Sequence, residues 1–151
     1  MLLRELINQT IRMKDEIKQR RTICQMGLIT MKEEIRDIQR RWDNELSINR
    51  LEIETNTDFK SKGITNQKQR DAFVLEEQRD MRKEMMEELD DQKFLIANAE
   101  EREKQLWDEY RYYEDRLEFL LKVYDIEGEI ELEESITKDR EVLGVETDDG
   151  E

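Results

Sequence analysis

The sequence predicts an all-α fold. Its expected form is one long antiparallel helical hairpin, a two-helix coiled coil that oligomerises into a helical bundle and carries an acidic C-terminal segment. Three observations lead there. Charged residues make up 44% of the 151 residues and apolar residues 36%, against about 25% and roughly 45–50% in ordinary globular domains. There are no prolines and only five glycines, so a fold of many short elements lacks punctuation. Two stretches hold a heptad pattern of apolar positions, and one glycine-bearing turn separates them.

In the first stretch, positions 3, 7, 10, 14, 17, 21, 24, 28, 31, 35, 38 and 42 alternate in steps of four and three. Nine of the twelve are apolar, and Thr10, Lys14 and Arg21 interrupt the pattern. After Trp42 the spacing steps to Leu46 and resumes at Ile53, a shift that relaxes local supercoiling. A helix is expected over about residues 2–58.

The second stretch repeats the alternation at 85, 89, 92, 96, 99, 103, 106, 110, 113, 117, 120 and 124, broken only by Gln92 and Glu103. A helix is expected over about residues 66–124. Between the two helices a turn is expected over about residues 59–65. Gly63 offers permissive backbone there, and Thr65 or Asn66 can accept from the first free N–H groups of the second helix. Two helices of similar length around one short turn give a hairpin spanning residues 1–124. Pairing positions whose numbers sum to about 127 sets Trp42 opposite Met85 and Ile53 opposite Val74. A sum of 120 would set Ile17 on Glu103 and Ile38 on Arg82, which is worse. In the better register Arg21 and Glu103 approach within about one helical turn, a polar pair that fixes register at some cost in stability.

Residues 125–151 hold twelve acidic and two basic residues, and so carry −10 of the total −14. They are expected to form an acidic tail with a short helix near 129–142 using Leu132, Ile136 and Leu143, and to be disordered over 144–151.

Several function classes recede. The chain has no histidine and no glycine-rich phosphate loop, and its paired carboxylates fall on solvated helix faces rather than in a cleft. Cys24, the lone cysteine, falls on the seam as a small core residue. No apolar run approaches the roughly 18 residues of a membrane span, and no signal peptide is evident. The expectation is a cytoplasmic protein that is not an enzyme, needs no cofactor or metal and has no membrane partner.

Two groups of side chains rise above that background. The basic residues Lys14, Lys18, Arg20, Arg21, Arg36, Arg40 and Arg41 on the first helix offer contacts for nucleic acid or an acidic partner. The net charge of residues 1–57 is only +1, so nucleic acid is not favoured. On the second helix, Met81, Met86, Phe94, Leu95, Trp107, Leu121 and Val123 lie beside the seam and extend its apolar surface. A two-helix seam buries only a narrow stripe, so this surface needs another helix: the C-terminal segment folding back, or a second copy. A homo-oligomer is the favoured outcome, with a further protein partner unidentified.

The stretch Gly63-Ile64-Thr65-Asn66-Gln67-Lys68-Gln69-Arg70-Asp71-Ala72, followed by a long charged helix, resembles small coiled-coil early-region proteins of bacteriophages and prophages of low-GC bacteria. The resemblance covers roughly residues 60–124. It implies that Thr65, Asn66, Arg70 and Ala72 start the second helix and pack the turn, and it brings no catalytic residue. The function expected is a non-enzymatic interaction and oligomerisation module, a phage accessory or adaptor acting on DNA-processing or host proteins. One alternative is an acidic nucleic-acid mimic inhibiting a host nuclease or polymerase. Another is a recombination accessory binding DNA through the basic first helix.

Overall fold

A computed structural model describes residues 1–132. Three helices account for most of it: α1 spans Leu3–Asn56, α2 spans Gln67–Glu77 and α3 spans Arg79–Glu127. The long helices α1 and α3 pack against each other as a helical hairpin. Contacts divide the chain into a terminal unit, Met1–Met26 with the chain from Glu100 onward, and a turn unit, Gly27–Ala99.

In the terminal unit, the seam residues Leu3 and Ile7 join Leu6 and Leu120 in one buried cluster, with Leu117 and Val123 packed on it. Ile17, Leu106 and Tyr113 form a second, flanked by Met13, Cys24 and Tyr110. Fully burying one such side chain contributes roughly 1.5–3 kcal/mol. In the turn unit, the buried apolar residues are Trp42, Leu46, Val74 and Leu89. Polar side chains also cross the seam there. Gln92 donates to the Met31 carbonyl and Gln78 to the Leu46 carbonyl and Asn49. The residue numbers of these pairs sum to 127 for Gln78–Asn49, 124 for Gln78–Leu46 and 123 for Gln92–Met31, at or between the two registers considered.

The turn differs in detail from a single loop. α1 ends at Asn56, and a short 3-10 turn, Lys60–Lys62, follows. The N–H groups of Gly63 and Ile64 return to the carbonyls of Lys60 and Phe59, with Gly63 left-handed at φ 74°. That pattern closes a helical turn on a residue that needs no Cβ. Asn66 caps α2 by accepting from the Gln69 N–H at 2.9 Å, and Gln69 reaches back to accept from the Thr65 N–H at 2.7 Å. Phe59 packs edge-on against Phe73 at 5.7 Å, with the Arg70 guanidinium over the Phe59 ring. Ala72 is exposed, so the turn-packing role implied for it is not seen.

Two further expectations require correction. The second helix is not continuous from 66 to 124. It breaks at Gln78, which ends α2 and lies buried at 2% exposure, bonded to the α1 carbonyl of Leu46. The break falls opposite the stretch of α1 where the heptad spacing shifts after Trp42, so both strands of the seam leave regular packing together. Nor do residues 129–132 begin a helix. α3 continues to Glu127, Gly128 turns the chain at φ 70°, and Glu131 bridges antiparallel to Leu2. The Leu3 N–H donates to the Ile130 carbonyl, and the Arg4 N–H to Glu129. These acceptors satisfy the first N–H groups of α1, which have no partner inside the helix. Helix over 133–142 and disorder over 144–151 lie outside the described residues.

Candidate interaction surface

Each polar interruption of the heptads has a local solution. Thr10, fully buried, donates its hydroxyl to the Leu6 carbonyl one turn back. Lys14 lies over the Tyr110 ring at 5.4 Å and faces Glu114 at 3.9 Å. Arg21 donates from Nε to Glu103, and its guanidinium covers the Trp107 ring at 4.3 Å. The expected Arg21–Glu103 approach is therefore a direct hydrogen bond, with Gln25 also donating to the same carboxylate.

The basic group expected to meet nucleic acid is largely occupied within the hairpin. Arg20 pairs with Glu16, Arg40 with Asp37, and Arg41 with Glu88, and Arg36 and Lys18 are exposed. Glu88 accepts from both the Trp42 indole and Arg41. The indole donor, then the Arg41 guanidinium, hold its carboxyl below the ordinary value of 4.5. In the turn unit, Arg50 bonds Asp71 and holds that carboxyl below 3.8, with Gln67 assisting.

The apolar set divides. Val123 packs on the Leu3 cluster and Met81 is half-buried, so the hairpin itself uses them. Trp107 stacks on Tyr110 at 5.8 Å and lies under Arg21 and Arg111. Leu121 is exposed in the terminal unit. In the turn unit, Met86, Phe94 and Leu95 are 48%, 66% and 49% exposed. Helical geometry separates these three. At about 100° per residue, Met86 and Leu95 point to opposite sides of α3, and Phe94 lies between them, about 80° from Met86 and about 100° from Leu95. The seven residues expected to form one interface are therefore not one face.

Sequence reasoning missed four features. Gln78 looks like an ordinary surface glutamine, and only the heptad shift near Trp42 hints at it. Glu129 and Ile130 cap α1 from across the fold, which no local signal reveals. Ile126, at 80% exposure, continues the peripheral aromatics Tyr112 and Phe119 in a stripe with Arg116 that is legible as a second run of four-and-three spacing. The apolar Ile48 and Leu51 on α1 are also exposed.

Among the described residues no helix is long and apolar enough to cross a membrane, and no group of three or more His, Cys, Asp or Glu side chains could hold a metal ion. No family model, no curated protein and no solved structure matches the chain.

Proposed function

We propose that the protein is a non-enzymatic protein–protein interaction module that self-associates through the α3 face bearing Phe94 and Leu95. It acts as an accessory or adaptor, as the resemblance of roughly residues 60–124 implies. The observation that carries this reading is the exposure of Phe94 and Leu95, consecutive in sequence and together spanning about 100° of the surface of a helix whose seam positions are already filled. Exposed aromatic and aliphatic side chains of this kind concentrate at protein interfaces. Support for protein over nucleic acid as partner comes from the basic side chains of α1. Lys14, Arg20, Arg21, Arg40 and Arg41 each already face a carboxylate.

Sedimentation equilibrium of the full chain tests the proposal. A mass above one chain is expected, falling to one chain in Phe94→Glu. A single-chain mass for the wild-type protein at all concentrations rejects self-association.

A further inference from the structure

The α3 face that bears Phe94 is ringed by acid. Glu87, Asp90 and Asp91 are exposed, and helical geometry sets each within about 60° of Phe94. Among the described residues none of the three has an ion-pair partner. An isologous contact, Phe94 face on Phe94 face, would set these carboxylates against their own copies. Like charges opposed across an interface weaken it and exclude that pairing. The face is matched instead by a surface that is apolar at its centre and basic around it.

One stretch of α1 in the same unit has that chemistry. Ile29 is 61% exposed. Lys32, Arg36 and Arg40 are exposed and lie within about 60° of Ile29 around the helix. Of the carboxylates between Ile29 and Arg40, only Glu33 falls inside that arc, and Glu34 and Asp37 fall outside it. Arg40 is held by Asp37 at 3.0 Å, whereas Arg36 has no carboxylate partner among the described residues. Its guanidinium is open to a carboxylate of another chain, which it matches in geometry.

The two faces lie at one height of the turn unit. Gln92 donates to the Met31 carbonyl, which brings Ile29 level with Phe94 and Leu95. They nevertheless turn to opposite sides. Arg41 and Glu88 each precede a buried seam residue, Trp42 and Leu89, and the two side chains bond each other. Single steps of the same sense from the seam therefore turn to the same side of this antiparallel pair. Leu95 precedes the seam residue Ile96, but Ile29 follows the seam residue Leu28. A contact between unlike faces is heterologous, and unlike faces set back to back leave one of each open on every assembly.

We propose that the acidic Phe94–Leu95 face of one copy seats on the basic Ile29–Arg36 face of the next, so that self-association is heterologous and open-ended. Phe94 covers Ile29, and carboxylates of Glu87, Asp90 and Asp91 accept from Lys32 and Arg36. This rests on the self-association proposed above and adds the surface that receives Phe94.

The test is sedimentation equilibrium of full-length Ile29→Glu and Phe94→Glu, each alone and as an equimolar mixture. Both positions are exposed, and circular dichroism checks that each variant keeps the wild-type helicity. The wild-type mass is expected to rise with concentration past two chains. Each variant alone is expected at one chain, because each lacks one of the two faces. In the mixture the intact Phe94 face of Ile29→Glu meets the intact Ile29 face of Phe94→Glu, and the mass is expected to stop at two chains. Arg36→Glu, which has no internal partner to lose, is expected to weaken wild-type association about tenfold. If Ile29→Glu associates as the wild type does, the heterologous contact is overturned while self-association through Phe94 stands. A mixture that stays at one chain, or a wild-type mass that stops at two, overturns it likewise. A single-chain mass for the wild type at all concentrations rejects both readings.

Discussion

From Met1 to Met26 and beyond Glu100, the helices meet through Leu3, Leu6, Ile7, Ile17, Leu106, Tyr113 and Leu120, all buried. From Gly27 to Ala99 they meet through Trp42, Leu46, Val74 and Leu89, interleaved with the buried amides Gln78 and Gln92. The first unit uses closely packed apolar clusters, closed by the segment that carries Ile130 and Leu132. The second uses side-chain amides bonded to carbonyls of the facing helix, plus the Trp42–Glu88–Arg41 group. Apolar area is non-directional and tolerates sliding, whereas an amide bonded to one carbonyl fixes a position. Apolar burial therefore concentrates in the terminal unit, while alignment rests on the amides of the turn unit together with the Arg21–Glu103 pair of the terminal unit.

Truncating the terminal unit's core should have the largest effect. Tyr113→Ala removes a fully buried ring, and a loss of about 3–5 kcal/mol is expected. Urea unfolding followed by circular dichroism measures it, and a loss near zero would break the comparison. Gln78→Ala in the turn unit should cost less, about 1–3 kcal/mol. It removes the bonds to Leu46 and Asn49 and leaves Arg82 without its Gln78 acceptor. If Gln78→Ala costs more than Tyr113→Ala, the weighting of apolar burial over amide bonds is reversed.

Gly63→Ala should cost about 1 kcal/mol through left-handed backbone alone. No atom lies near enough to clash with an added Cβ. A much larger loss would mean that the turn is packed more tightly than its surroundings indicate. The smallest effect concerns acid. Folding lowers the Glu88 pKa, so the folded chain binds that proton more weakly than the unfolded one. The contribution is present above the unfolded value of 4.5 and is lost as pH falls through the folded value. Glu88→Gln should flatten the acid limb of stability against pH, read from thermal melts between about pH 3 and pH 6.

The hairpin was legible because every heptad position through Trp42 on α1 is buried or half-buried, including Thr10, Lys14 and Arg21. Periodicity reports which side of a helix faces its partner, and it survives polar substitutions whose partners lie across the seam. What it could not report was the content of those substitutions. Gln92 and Glu103 interrupt the pattern in sequence but cross-link the helices in space. The bridging segment at Ile130 was illegible for another reason, since the N–H groups it satisfies belong to residues at the other end of the chain. The candidate interface was the least legible part. Proximity to a seam in sequence does not say whether Trp107 will be occupied by Arg21 or left for a partner.

The central claim is that contact with another copy occurs at Phe94 and Leu95 in the turn unit, while the core of the terminal unit remains internal. Amide hydrogen exchange compared between dilute and concentrated protein tests it directly. Protection that rises with concentration in peptides spanning 86–95, and is unchanged over 106–120, is the predicted result. Concentration-dependent protection confined to 106–120, or none anywhere, would contradict the account.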